Sequence, residues 1–245
     1  MPGPEGIMLN ADLFAAQGRA RGAAIVALHG CSGPAPARDD SWARQLAAAG
    51  HAVLLPDSFG SRGLGSQCSA RTRLVTPAGV RRHDALTALR WLADRPGTPP
   101  GGLVLMGWSD GGNTVLNAGR ASPDLPAGLI RGLIAFYPIC RGLAETKDWA
   151  PAAPLMILMG EPEENSAAVA ACHALADKLP GKVTLVTYAG AHHEFDVPEA
   201  PGRTKIVKGK HGLLTPVGGI SSASVNSAAR EDAGRRVSAF IAGLP

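Results

Sequence analysis

Residues 104–112 read Val-Leu-Met-Gly-Trp-Ser-Asp-Gly-Gly, and the rest of the chain is organised around them. The apolar run before Gly107 predicts a buried strand, and residues 107–111 fit the pattern G-x-S-x-G, a sharp strand-to-helix turn that lifts a serine hydroxyl out of a sheet. Glycines flank such a turn because a side chain would clash where strand and helix nearly touch. The stretch therefore predicts that Ser109 is a nucleophile, followed by a helix over 113–121 whose free N–H groups point at the serine.

The composition fits a single α/β domain over residues 1–245. Hydrophobic residues make up 45% of the chain, enough for a large core, and the 31 glycines and 20 prolines are scattered between apolar runs as turn residues would be. The net charge of +4 comes without the dense Lys/Arg block of a nucleic-acid-binding protein. No apolar run approaches the roughly 18 residues that a membrane span needs.

The first residues lack the basic and apolar segments of a signal peptide. We therefore expect a cytoplasmic protein, or a periplasmic one if a leader has been removed. The four cysteines show no C-x-x-C and no zinc-ligand spacing. In the cytoplasm they are expected to be free core residues. In a periplasmic protein they could pair, and of the three pairings that four cysteines allow, Cys31–Cys68 with Cys140–Cys172 is the preferred one.

Apolar runs alternate along the chain with segments of helical periodicity, which predicts a mostly parallel sheet with helices on both faces. The helix over 78–94 has its apolar residues at helical spacing, with Arg81, Arg82 and Arg90 expected on the solvent side. Residues 196–222 have no clear periodicity and are expected to form a surface excursion. The predicted strands cover 7–14, 23–28, 52–56, 103–106, 132–137, 155–159 and 183–188, and the other helices run from Asp40 or Ser41 to Ala49 and over 113–121, 166–179 and 223–243.

A serine hydroxyl becomes a good nucleophile when an imidazole takes its proton and a carboxylate orients that imidazole. In enzymes built on this turn the chain order is serine, acid, histidine, on loops that follow successive strands. Here Glu161, Glu163 and Glu164 follow the strand over 155–159, and His192 and His193 follow the strand over 183–188. Ligands bind at the carboxyl ends of such strands, so one acid and one histidine are expected to meet Ser109.

Four segments together resemble the dienelactone hydrolase family: 29–33 (His-Gly-Cys-Ser-Gly), 56–63 (Pro-Asp-Ser-Phe, then Arg-Gly), 107–112 and 188–196 (Tyr-Ala-Gly-Ala-His-His-Glu-Phe-Asp). The resemblance covers about residues 7 to 240 and implies a single-domain α/β-hydrolase fold without a large cap. The family's histidine precedes x-Phe-Asp, which selects His193. The family's acid stands three residues after the glycine that ends its strand, which selects Glu163.

The chain departs from the family pattern at two places. Dienelactone hydrolase proper carries a cysteine nucleophile where this chain has Ser109, which favours a general esterase. The family's acid is usually an aspartate, whereas residues 161–164 read Glu-Pro-Glu-Glu, so Glu164 remains an alternative to Glu163.

The negative charge that develops during ester cleavage needs two backbone donors. One is expected from Asp110, the residue after the nucleophile, and the other from the turn after the first core strand, where the family-matched residue is Cys31. Arg62 resembles a family position near the pocket, and either binds a substrate carboxylate or forms a surface salt bridge. Trp108 is expected to pack beneath the turn and is a candidate substrate contact.

These features predict a serine hydrolase that cleaves small carboxylic esters or lactones through an acyl-enzyme. No metal, organic cofactor, nucleic acid or membrane partner is expected. Two alternatives remain at this point. The first is an acyl-peptide hydrolase or peptidase, which would need a propeller or cap that this chain has no room for. The second is a non-catalytic binding module on the same fold.

Overall fold

The protein is built on a seven-stranded sheet, seen in a computed structural model that describes residues 1–18, 23–99, 102–161, 166–198, 205–208, 214–217 and 226–245. The strand order is β1-β3-β2-β4-β5-β6-β7. All neighbouring strands run parallel except β1, which pairs antiparallel with β3 at one edge. The strands are β1 (Ala11–Phe14), β2 (Ile25–Leu28), β3 (Val53–Pro56), β4 (Leu103–Trp108), β5 (Ile130–Phe136), β6 (Leu155–Glu161) and β7 (Val183–Ala189).

The burial of each strand follows its place in the sheet. β2 and β4 are buried at every position, as continuous apolar runs are when helices cover both faces. β7 lies at the other edge, and its alternating Val and Thr residues are mostly half-exposed, as predicted for an edge strand. The parallel order brings the loops after β2, β4, β5, β6 and β7 to one rim of the sheet.

The helices are α1 (Pro36–Ala48), α2 (Val80–Ala93), α3 (Asp110–Ala118), α4 (Ser166–Lys178) and α5 (Ser227–Ala242). The step from β2 to β3 runs toward the β1 edge of the sheet, whereas the steps from β3 to β4 and on to β7 run toward the β7 edge. Because parallel crossovers are right-handed, α1 covers one face and α2, α3 and α4 cover the opposite one. α5 joins α1, since Arg230 donates to Ser41 Oγ at 2.7 Å. The predicted α/β-hydrolase architecture, without a large cap, is confirmed.

Two helices begin earlier than the sequence pattern suggested. α1 starts at Pro36 rather than after Asp40 or Ser41, because Pro fits the first helical turn and the Asp39 carboxylate accepts the Ala35 N–H at 2.8 Å. α3 starts at Asp110 rather than Asn113. The helix therefore follows Ser109 directly.

The prediction for Arg81 was wrong. Its side chain is 1% exposed and lies inside the protein, because positions 81, 85 and 89 fall on one face of a helix and α2 turns that face inward. Its two terminal NH₂ groups donate there to the Asp110 carboxylate and to the His29 carbonyl.

Part of the segment over 196–222 has regular structure that the sequence did not predict. β8 (Lys205–Lys208) and β9 (Leu214–Val217) pair antiparallel as a two-stranded sheet. The remainder, over 199–204, 209–213 and 218–225, lies outside the described residues.

All four cysteines are paired, so the expectation of free thiols was wrong and the alternative pairing is the one observed. Cys31 bonds Cys68, and Cys140 bonds Cys172. Both pairs join segments that are distant in sequence, 37 and 32 residues apart. Within the described residues, no helix is both long and apolar enough to cross a membrane.

Candidate active site

Ser109 occupies the sharp turn between β4 and α3 that the sequence predicted. Its backbone angles are φ 54° and ψ −112°, a strained conformation for a residue with a side chain. The glycines around it allow the close approach. A Cβ on Gly107 would lie 2.5 Å from the Gly111 carbonyl oxygen, and one on Gly111 would lie 2.1 Å from the Leu28 carbonyl oxygen. The strain is thus held by packing against the end of β2.

His193 faces this serine from the loop after β7. Its Nε2 atom lies 3.1 Å from Ser109 Oγ. The ring packs at 4.4 Å against the ring of Tyr137, which follows β5. A hydroxyl proton donated to Nε2 requires that nitrogen to be unprotonated, which leaves the ring proton on Nδ1. The structure therefore brings the predicted histidine, and not His192, to the serine.

Removal of its ring from water lowers the pKa of His193 below the ordinary 6.5, and Arg38 acts in the same direction, while Glu194 and Asp196 partly oppose both. A protonated imidazole cannot accept the Ser109 proton. We therefore expect kcat/KM to decline only as the pH falls through a pKa below 6.5, and to be level from there to neutral pH. The pH dependence of kcat/KM is measured from initial rates with phenyl acetate, because its leaving group does not ionise in this range. An acid limb centred at pH 7 or above would contradict the lowered pKa of His193.

Asp196, three residues beyond His193, anchors the histidine loop to the core. Its fully buried carboxylate accepts hydrogen bonds from Trp42 Nε1 at 2.8 Å, Trp108 Nε1 at 2.9 Å and the Tyr137 hydroxyl at 2.7 Å. Burial raises the pKa of Asp196, while Arg38 and the hydrogen bonds act against it. Three aromatic donors from α1, β4 and the end of β5 thus converge on the loop that carries the imidazole.

Two backbone segments lie beside Ser109. Asp110 is the first residue of α3, so its amide has no acceptor within the helix. The turn that contains Cys31 is adjacent, since a Cβ on Gly30 would stand 3.8 Å from Ser109 Cβ. The sequence predicted that the backbone N–H groups of Cys31 and Asp110 bind the oxyanion.

His29 holds the turn after β2 in place. Its Nδ1 lies 2.8 Å from the Gly30 carbonyl oxygen, and its Nε2 accepts the Ser58 N–H at 3.2 Å. Burial, followed by the charge of Arg81, lowers the pKa of His29 to about 3. The ring is therefore neutral, and both nitrogens have roles in fixing the backbone.

The Asp110 carboxylate lies between two arginines. Arg73 binds both of its oxygens at 2.8 Å, and Arg81 reaches one of them at 2.5 Å. Burial alone would raise the pKa of Asp110, but the hydrogen bonds and charges of the two arginines outweigh it and lower that pKa. Asp110, the residue that follows Ser109, is thus ionised and held from two sides.

Arg62 and Trp108 are both occupied away from a substrate. Arg62 donates two hydrogen bonds to Asp84, at 2.8 and 2.9 Å, and a third to the Ser58 carbonyl. This ion pair is buried rather than on the surface, with Asp84 fully covered. Trp108 is fully buried and packs beneath the turn, as predicted. Its indole N–H donates to the buried Asp196 carboxylate.

Glu163 and Glu164 lie outside the described residues. The strand that leads to them ends against the histidine loop. The Gly190 N–H donates to the Glu161 carbonyl at 3.0 Å, and a Cβ on Gly160 would meet the Ala191 carbonyl oxygen at 2.5 Å. The end of β6 therefore lies beside residues 190–192. In the part of the chain that is described, no group of three or more His, Cys, Asp or Glu side chains is arranged to hold a metal ion.

Sequence reasoning gave no role to Asp196, Arg73 or Arg81. Asp196 belongs to the 188–196 motif, but no local feature of the sequence separates it from a solvated carboxylate. For Arg81 the indication was its helical register with Ala85 and Leu89. Nothing local marks Arg73, because its partner Asp110 is 37 residues away.

The sequence profile of the dienelactone hydrolase family matches residues 10–243. The chain belongs to that family. Membership makes it a hydrolase of carboxylic esters, and the serine at position 109 places it among the members with a serine in the turn.

Solved structures share the fold at low identity. A dienelactone hydrolase-like promiscuous phosphotriesterase from metagenomic libraries aligns with a TM-score of 0.67 at 15% identity, over 97% of this chain and 93% of that one. Esterase 2 of Thermogutta terrifontis aligns with a TM-score of 0.60 at 19% identity, over 97% of this chain and 92% of that one. The dienelactone hydrolase of Anabaena variabilis aligns with a TM-score of 0.60 at 20% identity, over 78% of this chain and 85% of that one. These similarities support the α/β-hydrolase fold.

Proposed function

We propose that this dienelactone hydrolase family member cleaves small carboxylic esters or lactones through an acyl-enzyme on Ser109. The observation that carries the proposal is the 3.1 Å approach of His193 Nε2 to Ser109 Oγ at a strained strand-to-helix turn. A hydroxyl and an unprotonated imidazole nitrogen at hydrogen-bond distance form an activated nucleophile. The strained backbone sets the hydroxyl at the open rim of the sheet.

The reaction would proceed in two stages. Ser109 Oγ attacks the ester carbonyl carbon while His193 takes its proton, and the resulting oxyanion accepts hydrogen bonds from the Cys31 and Asp110 amides. The tetrahedral adduct collapses, the C–O bond to the alcohol breaks, and His193 returns the proton to the departing oxygen. Water then attacks the acyl carbon while His193 takes one of its protons, the C–O bond to Ser109 breaks, and His193 returns the proton to Ser109 Oγ as the acid leaves. For a lactone, acid and alcohol leave as one molecule.

We propose Glu163 as the acid that orients His193. The end of β6 lies against residues 190–192, which immediately precede His193, and this supports an acid from the segment immediately after β6. The family pattern favours Glu163 over Glu164. The kcat values of Glu163→Gln and Glu164→Gln distinguish them, since loss of the orienting carboxylate leaves the imidazole in an unproductive tautomer. A larger loss for Glu164→Gln would reverse the choice.

The experiment for the function combines turnover with covalent labelling. A panel of short p-nitrophenyl esters, enol-lactones and thioesters is expected to yield saturable hydrolysis of at least one class. A fluorophosphonate probe should label Ser109, and prior labelling should abolish turnover. An intact protein that neither labels nor hydrolyses any member of the panel would instead be a non-catalytic binding module.

We further propose that the protein works in an oxidising compartment rather than the cytoplasm. Both disulfides join distant parts of the chain, and such bonds persist outside the reducing cytoplasm. Protein isolated without reductant should have no titratable thiol after unfolding. Four thiols per chain would contradict this proposal.

A further inference from the structure

The loop over residues 67–73, between β3 and α2, is bound to the turn that contains Cys31. The Cys31–Cys68 disulfide joins them covalently. The Gln67 N–H also donates to the Cys31 carbonyl at 2.7 Å. The Cys31 residue is therefore held through both its side chain and its carbonyl, while its own N–H belongs to the proposed oxyanion site.

The same loop also reaches the second proposed donor. Arg73, five residues beyond Cys68, grips both carboxylate oxygens of Asp110 at 2.8 Å. Asp110 belongs to the first turn of α3, and its backbone N–H follows directly on Ser109. The 67–73 loop is thus attached at one end to the Cys31 residue and at the other to the Asp110 residue.

We propose that the 67–73 loop is a positioning element for the oxyanion site, with Cys68 fixing the Cys31 amide and Arg73 fixing the Asp110 amide. This rests on the proposed serine hydrolase function. An oxyanion donor acts only when it lies within about 3 Å of the developing charge. The loop contributes no atom to the reaction, and its effect should therefore appear in the transition state more than in substrate binding.

The two disulfides provide a matched pair for testing this. They close loops of similar length, 37 and 32 residues, so their removal should lower stability by similar amounts. Cys68 is exposed, whereas Cys140 and Cys172 are 1% and 0% exposed. The two pairs therefore differ in accessibility to a reductant and in their attachment to the oxyanion site.

The experiment compares Cys31→Ser/Cys68→Ser with Cys140→Ser/Cys172→Ser. We expect the first pair to lose about tenfold in kcat, a fraction of the roughly 100-fold that loss of a whole oxyanion donor causes, with KM within about twofold. Affinity for a trifluoromethyl ketone should fall in parallel, because Ser109 adds to that ketone and leaves its oxygen in the oxyanion site. The second pair should melt at a temperature lowered at least as much, because its two serine hydroxyls are buried, with kcat nearly unchanged. Arg73→Gln should reproduce the kcat effect with both disulfides intact.

If Cys31→Ser/Cys68→Ser does not fold, reduction of the folded wild-type protein tests the proposal instead. Dithiothreitol should reduce the exposed pair first, with kcat falling as the first two thiols titrate and recovering on reoxidation. Unchanged kcat after loss of the Cys31–Cys68 bond, or equal kcat losses for the two pairs, would overturn the proposal. Failure of the catalytic assignment itself is separable, because it would appear as activity retained by Ser109→Ala.

Discussion

Ser109→Ala is expected to lower kcat/KM for a p-nitrophenyl ester by about 10⁴-fold or more. The substitution removes the only atom that can form the acyl-enzyme, while the amides of Cys31 and Asp110 remain to polarise the carbonyl. The residual rate would come from water attacking an ester bound at those donors. Measurement requires initial rates at saturating and low ester concentrations, so that the loss can be assigned to kcat.

The fold should survive this change. Alanine at position 109 meets the same φ of 54° as serine does, so the backbone strain is unchanged and the unfolding midpoint should be close to that of the wild type. Ser238→Ala is the matched control, since Ser238 lies on α5 and its hydroxyl donates to the Gly234 carbonyl. The control should retain activity and fluorophosphonate labelling. Ser109→Ala protein that keeps a tenth of wild-type activity would refute the assignment of Ser109 as the nucleophile.

Asp196→Ala is expected to lower the free energy of unfolding by about 3–5 kcal/mol. The change leaves the Trp42 and Trp108 indole N–H groups and the Tyr137 hydroxyl without their shared acceptor in the core, and each buried donor left unpaired costs about 1–3 kcal/mol. Such a loss is a large part of the 5–15 kcal/mol typical of a folded domain. Urea unfolding with linear extrapolation measures it.

Asp196→Asn separates the hydrogen bonds from the charge. Its amide oxygen can accept from both tryptophans and its NH₂ group can donate to the Tyr137 oxygen. We therefore expect a loss of about 1 kcal/mol for Asn, with kcat reduced less than in the alanine variant because the His193 loop stays anchored. An alanine variant within 1 kcal/mol of wild type would show that the three donors find other partners.

These two positions differ in how much the sequence could say about them. Ser109 was predicted because its neighbours carry the information: a buried apolar strand, two glycines at fixed spacing and a following helix. Asp196 was not, because an aspartate in a loop has no local feature that distinguishes a solvated carboxylate from one beneath three aromatic donors. Those donors come from three other segments, at sequence separations of 154, 88 and 59 residues.

Histidine selection shows the same division. The sequence placed two adjacent histidines after the last strand of the main sheet, and only the family resemblance selected His193. The structure brings that ring to Ser109 across 84 residues. The Glu194 backbone, with φ 63°, turns the chain immediately afterwards and sends Asp196 into the core.

By itself the sequence determined the alternation of strands and helices, the strained turn and the order of the catalytic candidates, because each depends on local sterics and on the periodicity of apolar residues. Only the tertiary structure decided that Arg81 is buried, that Arg62 pairs with Asp84, that the cysteines are bonded and that the 67–73 loop contacts both Cys31 and Asp110. These are contacts between distant segments, and their energies depend on burial and on partners that the chain brings together only when it folds.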